Sequence, residues 1–134
     1  MAVPETVIVQ KILLKLGNAA RRLFRNNTGA LFDRTGRPVR YGLANGSSDI
    51  IGLRQLTITP AMVGSTIAQF VAVEVKTPTG RVQKHQQQFI DTVLAMGGCA
   101  GVVRSVDQAE ALLAAKPHGR SKRPTPSGRG QVAA

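Results

Sequence analysis

The run Val71-Ala72-Val73-Glu74-Val75-Lys76 has few ways to fold. It is rich in β-branched residues and stops sharply at Thr77-Pro78-Thr79-Gly80, so it reads as a strand. Side chains alternate along a strand, so Glu74 and Lys76 share one face and Val71, Val73 and Val75 the other. A carboxylate and an ammonium in an apolar strand are costly unless paired, exposed or bound to metal. Upstream, Gly46-Ser47-Ser48-Asp49-Ile50-Ile51-Gly52 places a second carboxylate at the start of another apolar run. If residues 49–58 and 67–76 form an ordinary antiparallel hairpin, the simplest register sets Asp49 directly opposite Glu74, with Cβ atoms about 5 Å apart. Both side chains then reach one hard cation. The competing reading is a surface salt bridge among Asp49, Glu74 and Lys76. The apolar neighbours Ile50, Ile51, Val73 and Val75 leave little exposed face and favour the metal site.

The rest of the chain places these strands in an α/β domain. Residues 4–16 read as a helix: Pro4 suits a first helical position, and Val9, Ile12, Leu13 and Leu16 form one stripe. Gly17-Asn18 ends it, and residues 20–25 form a short strand. Residues 26–46 are rich in turn signals, notably Asp33-Arg34-Thr35-Gly36 and Ala44-Asn45-Gly46. After the two central strands come a helix over 83–96, with Phe89, Ile90, Val93 and Met96 inward, a buried strand over 99–104 and a closing helix over 106–115. The order is α-β-β-β-α-β-α, a mixed β-sheet flanked by helices.

Charge divides the chain in two. Residues 1–115 hold 13 Lys and Arg against 7 Asp and Glu, a net of +6. Residues 116–134 hold 5 Lys and Arg and no acid, and their Pro, Gly, Ser and Arg content reads as a basic disordered tail. Together they make +11, which points to a polyanionic partner such as nucleic acid. No apolar run approaches the roughly 18 residues of a membrane span, and the first 17 residues lack the pattern of a signal peptide. Cys99 is the single cysteine, which excludes an internal disulfide and suits a reducing cytoplasm. Cys99 reads as core, and His85 and His118 lack metal-ligand spacing.

Taken in order, Arg25-Asn26-Asn27-Thr28-Gly29, Gly46-Ser47-Ser48-Asp49-Ile50-Ile51-Gly52, Glu74-Val75-Lys76-Thr77-Pro78-Thr79-Gly80-Arg81, Gln86-Gln87-Gln88-Phe89, Gly97-Gly98 and Val102-Val103-Arg104-Ser105 form a series. It resembles the virus-type replication-repair nuclease (VRR-NUC) domain of the PD-(D/E)xK nuclease superfamily, over roughly residues 5–112. The resemblance implies a nuclease-like fold over 1–115. It implies that Asp49 and Glu74 bind Mg²⁺ or Mn²⁺ with the Val75 carbonyl as a third ligand. Lys76 would orient the attacking water and stabilise charge developing at phosphorus. Gln86 lies on the helix face of Phe89, Ile90 and Val93 and would point at the site, its alternative being a helix-start residue bonded to backbone. Glu5 is the candidate for the family's first-helix glutamate, although its offset from Gln10 differs by one from the family spacing. Its other reading is an acid favoured in a first helical turn. Arg25, Asn26 and Asn27 stand beside the DNA path or serve a turn, and Arg81 and Lys84 are candidate phosphate contacts.

Stand-alone members of that family resemble homodimeric junction-resolving enzymes. The resemblance therefore implies a metal-dependent endonuclease on branched DNA such as Holliday junctions, with no small-molecule cofactor and no membrane. It also implies a phage source acting in a bacterial host cytoplasm. The alternatives are a flap or single-strand nuclease, and a non-catalytic basic nucleic-acid-binding module.

Overall fold

In the computed structural model, residues 2–116 are described. The basic segment expected to be disordered lies outside them from residue 117 on, as does His118. Chain order is helix α1 (Glu5–Leu16), strands β1 (Arg21–Arg25), β2 (Gly29–Phe32), β3 (Pro38–Tyr41) and β4 (Ile50–Arg54), then a 3₁₀ turn at Pro60–Met62. Strand β5 (Val71–Val75), helix α2 (Lys84–Ala95), strand β6 (Cys99–Val103) and helix α3 (Val106–Ala114) complete it. The mixed α/β class stands as expected. No helix among the described residues is long and apolar enough to cross a membrane.

Strand pairing differs from the expected hairpin. Strand β4 pairs antiparallel with β1, Leu23 opposite Gly52 and Arg25 opposite Ile50. Strand β5 pairs in parallel with β6, Glu74 opposite Val102. Asp49 is therefore not a cross-strand partner of Glu74. The reason lies in what joins the strands. Residues 55–70 contain Pro60 and the 3₁₀ turn and run too long for a tight hairpin, whereas β5-α2-β6 is a compact crossover unit. The two strands are also shorter than expected, ending at Arg54 and beginning at Val71.

The turn-rich segment holds a third pair. Strands β2 and β3 form an antiparallel hairpin with Gly29 opposite Tyr41. Its turn is built on Asp33, whose carboxylate accepts the Thr35 hydroxyl at 2.7 Å and the Arg37 N–H at 2.9 Å. The Thr35 hydroxyl, then the Arg37 backbone, holds the Asp33 carboxyl below the usual carboxylate range. Gly36 sits at φ 79°, a conformation glycine adopts without Cβ strain.

The core joins the halves. Leu53 of β4, Ile90 and Val93 of α2 and Ala100 of β6 form one buried cluster, with Phe70, Ala72, Met96 and Val102 packed against it. Burying such aliphatic side chains is worth about 1.5–3 kcal/mol each. Phe24 of β1 meets Phe89 of α2 at 5.9 Å between ring centroids, a tilted aromatic pair that holds the β1–β4 ladder to the helix. On α1, Val9 is buried and Ile12 and Leu13 are half-buried, while Leu16, expected in the same stripe, is exposed. The α1 stripe covers β1 and runs out before the last turn.

Candidate active site

Glu74 and Lys76 lie on the helix-covered face of β5. Ala72, on that face, packs against the core cluster, while Val71 and Val75 on the other are 47% and 71% exposed. Of the residues expected to leave little exposed face, Ile50, Ile51 and Val73 are half-buried and only Val75 is exposed. Lys76 Nζ stands 3.5 Å from Glu74 Oε1, with side-chain exposures of 17% and 30%. Partial burial leaves this pair less screened by solvent than a fully exposed ion pair.

Gln86 combines both of its expected roles in one amide. Its Nε2 donates to Glu74 Oε1 at 2.9 Å, and its Oε1 accepts the Gln83 N–H at 3.0 Å, at the start of α2. The helix N-terminus thereby fixes the amide, and the amide fixes the carboxylate. Ala72, Val73, Glu74, His85, Gln86, Phe89 and Ile90 line a depression of about 410 Å³. Phe89, expected inward, is 40% exposed along it.

Asp49 lines a second cavity of about 440 Å³ with Glu5, Thr6, Val9, Arg25, Asn26, Asn27, Thr28 and Tyr41. Glu5 and Asp49 thus line the same cavity, with Arg25, Asn26 and Asn27 among its other walls. Arg25 Nε donates to Asn27 Oδ1 at 2.9 Å. Asn26 is half-buried and bonded to the loop before Asp49. Phe89 lines the first cavity, and its ring partner Phe24 is the chain neighbour of Arg25 in the second.

Arg81 and Lys84 are exposed just beyond the turn that follows β5, Lys84 opening α2. That turn is held by Arg104, which the sequence reading left without a role. Its Nη1 donates to the Thr77 carbonyl and, at 2.8 Å, to the Gly80 carbonyl. The available signal was a charged residue directly after the buried β6 run. Cys99 is half-buried, its thiol 3.6 Å from the Leu112 carbonyl, in keeping with a packing role.

The donor chemistry suits a hard divalent cation. Among the described residues both partners of Glu74 use Oε1, so Oε2 carries no hydrogen bond. Asp49 and Glu5 are the acidic residues lining the other, open cavity. No three His, Cys, Asp or Glu side chains converge among the described residues. Magnesium accepts such a sparse set, since it retains several waters and takes only one or two carboxylates.

Fold and site together define a nuclease-like α/β domain with an acid–lysine strand and a glutamine clamp. The chain belongs to the VRR-NUC domain family, which matches residues 6–107. No curated protein and no solved structure matches it. Family membership makes the protein a nuclease, a phosphodiester hydrolase whose substrate is DNA, in a family that is generally metal-dependent.

Proposed function

We propose that this nuclease is a Mg²⁺- or Mn²⁺-dependent endonuclease that cuts branched DNA, such as a four-way junction, as a homodimer. The carrying observation is the Glu74–Lys76–Gln86 cluster, in which a lysine and an amide share one carboxylate oxygen and leave the other free. Asp49, Glu74 and the Val75 carbonyl would hold the cation, the two-carboxylate set that membership of the family implies. The bound cation supplies Lewis acidity toward the phosphoryl oxygens.

The chain's own groups do the remainder. Gln86 keeps the Glu74 carboxylate in one orientation, and Lys76, tethered to it, presents an ammonium to the attacking water and to charge developing at phosphorus. Arg81 and Lys84, beyond the Arg104-held turn, bind backbone phosphates, and Arg25 and Asn27 do so beside Asp49. Paired cuts on a two-fold substrate favour a two-fold dimer with one site per chain. A reducing cytoplasm, that of a bacterial host for a phage-borne chain, is the setting in which Cys99 stays a thiol.

The test is cleavage of plasmid, flap, splayed-arm and four-way-junction DNAs with Mg²⁺ or with EDTA. Paired symmetric cuts in the junction, abolished by EDTA, are the expected result. Efficient cutting of flap or single-stranded DNA with the junction untouched would replace the branched-DNA reading. No cleavage of any DNA would leave the basic binding module.

A further inference from the structure

We infer that Asn26 is a positioning residue for Asp49 that acts by holding the loop between β3 and β4, not by touching DNA. The inference rests on the reading of Asp49 as a metal ligand. Asn26 follows β1 directly, and its N–H donates to the Asp49 carbonyl at 2.8 Å, adding one rung to the β1–β4 ladder. Its side chain then reaches along the incoming loop. Nδ2 donates to Ser47 Oγ at 2.7 Å and to the Ser48 carbonyl at 2.9 Å. Oδ1 receives the Leu43 N–H at 3.5 Å.

A primary amide has two N–H donors, and both of Asn26's are used inside the chain. None remains for a phosphate oxygen or a base acceptor. The loop needs such a bracket. Gly42 and Gly46 both sit at positive φ, 82° and 83°, so the loop turns at two points where other residues are strained. Its internal bond is Ser47 N–H to the Ala44 carbonyl at 3.0 Å. Asn26 thus touches residues 43, 47, 48 and 49, and Asp49 leaves this loop into the cavity shared with Glu5. Asn27 contrasts with it. Asn27 is exposed, and its Oδ1 is engaged by Arg25, so Arg25 and Asn27 are the members of the triplet free to meet nucleic acid.

The test compares Asn26→Ala, Ser47→Ala, the double variant and Asp49→Ala in the full chain. Three readouts are taken: Mn²⁺ binding by calorimetry, hydrogen exchange of residues 43–49, and junction-DNA binding in EDTA. Asn26→Ala is expected to weaken Mn²⁺ binding by about 10-fold or more, the scale of outer partners that orient metal ligands. Exchange at 43–49 should speed up, and DNA affinity in EDTA and its salt slope should not change. Ser47→Ala should show a smaller effect of the same kind, and the double variant should fall short of the sum, since both remove one bond. Ser47→Ala removes a single acceptor and keeps the test decisive if Asn26→Ala does not fold.

Weaker DNA binding in EDTA with unchanged exchange and Mn²⁺ affinity would overturn the inference in favour of a direct DNA contact. If Asp49→Ala itself leaves Mn²⁺ binding unchanged, the metal reading of Asp49 falls. Exchange at 43–49 then decides the bracket alone: faster exchange in Asn26→Ala upholds it, and unchanged exchange overturns it.

Discussion

Glu74 is held through one carboxylate oxygen by two partners, and that arrangement separates the consequences of removing each acid. Asp49→Ala and Glu74→Ala are both expected to abolish cleavage, and full activity of either with Mg²⁺ would sink the site assignment. Their stabilities should differ. Asp49 is exposed, so its loss should leave unfolding unchanged. Glu74→Ala strands the Gln86 Nε2 and a Lys76 that is only 17% exposed, and should cost about 1 kcal/mol in denaturant unfolding. Lys76→Ala should lose about 10²-fold in rate, the usual effect of a group aimed at developing charge, while calorimetry still detects Mn²⁺. Loss of metal binding along with activity would make the lysine structural. Strand alternation and helical spacing made the shared placement of Glu74, Lys76 and Gln86 legible in the sequence, because those residues sit within or next to one βα unit. Asn26 was less so: its amide partners lie 21 and 22 residues away, a proximity that only the β1–β4 ladder creates.

Elements with strong internal patterning were readable, and those defined by distant pairing were not. Helix α1 starts at Glu5 after Pro4, and α2 and α3 fall within a residue of the expected spans, because each carries its own periodicity and end signals. The hairpin of Gly29–Phe32 and Pro38–Tyr41 was missed. Each strand has only four residues, mostly exposed, so no buried face imposes alternation. The expected β4–β5 hairpin is absent because strands that follow one another in sequence need not pair in space. What fixes β4 against β1 is Gly52. A Cβ built there runs into the Arg22 carbonyl oxygen and comes within 2.9 Å of its carbon, both backbone atoms that cannot swing aside. Gly52→Ala should therefore force the strands apart and cost about 1–3 kcal/mol, as overpacking does. The same substitution shifts the ladder end that carries Asn26 and Asp49, so Mn²⁺ affinity should fall with stability. Unchanged chemical denaturation of Gly52→Ala would show that the β1–β4 contact is looser than described.

For the whole molecule, two expectations depend on surface more than on any one site. Residues 117–134 carry Arg120, Lys122, Arg123 and Arg129 without an acid. If all four meet phosphates, deleting them should lower the slope of log affinity against log salt by about 3 to 4 with catalysis intact. An unchanged slope would mean the tail does not touch DNA. The second is the dimer. The structure divides the apolar residues of α1 and α2 between core and surface. Val93 is fully buried, and Ile12 and Leu13 are half-buried, so they belong to the core. Leu14 remains 80% exposed, and the β2–β3 hairpin shows Leu31, Phe32 and Val39 at 66%, 79% and 49%. Leu31 and Val39 are cross-strand partners on one face of the hairpin and Phe32 lies on the other; exposed apolar side chains of this kind are ordinarily covered, and on the proposed reading of paired cuts a self-complementary cover is the simplest. Sedimentation should give a dimer, free and on junction DNA. Phe32→Lys should shift it toward monomer, because a lysine in an apolar contact must be desolvated without a partner. Residue 32 lies outside the core cluster and both cavities, so the monomer should keep its fold and its Mn²⁺ binding. What it should lose is the coupling between the two incisions: junctions nicked once would accumulate, since each chain then cuts alone. A wild-type monomer on and off DNA that still makes paired cuts would remove the dimer from the reading and leave the catalytic assignment to stand on Glu74, Lys76 and Asp49.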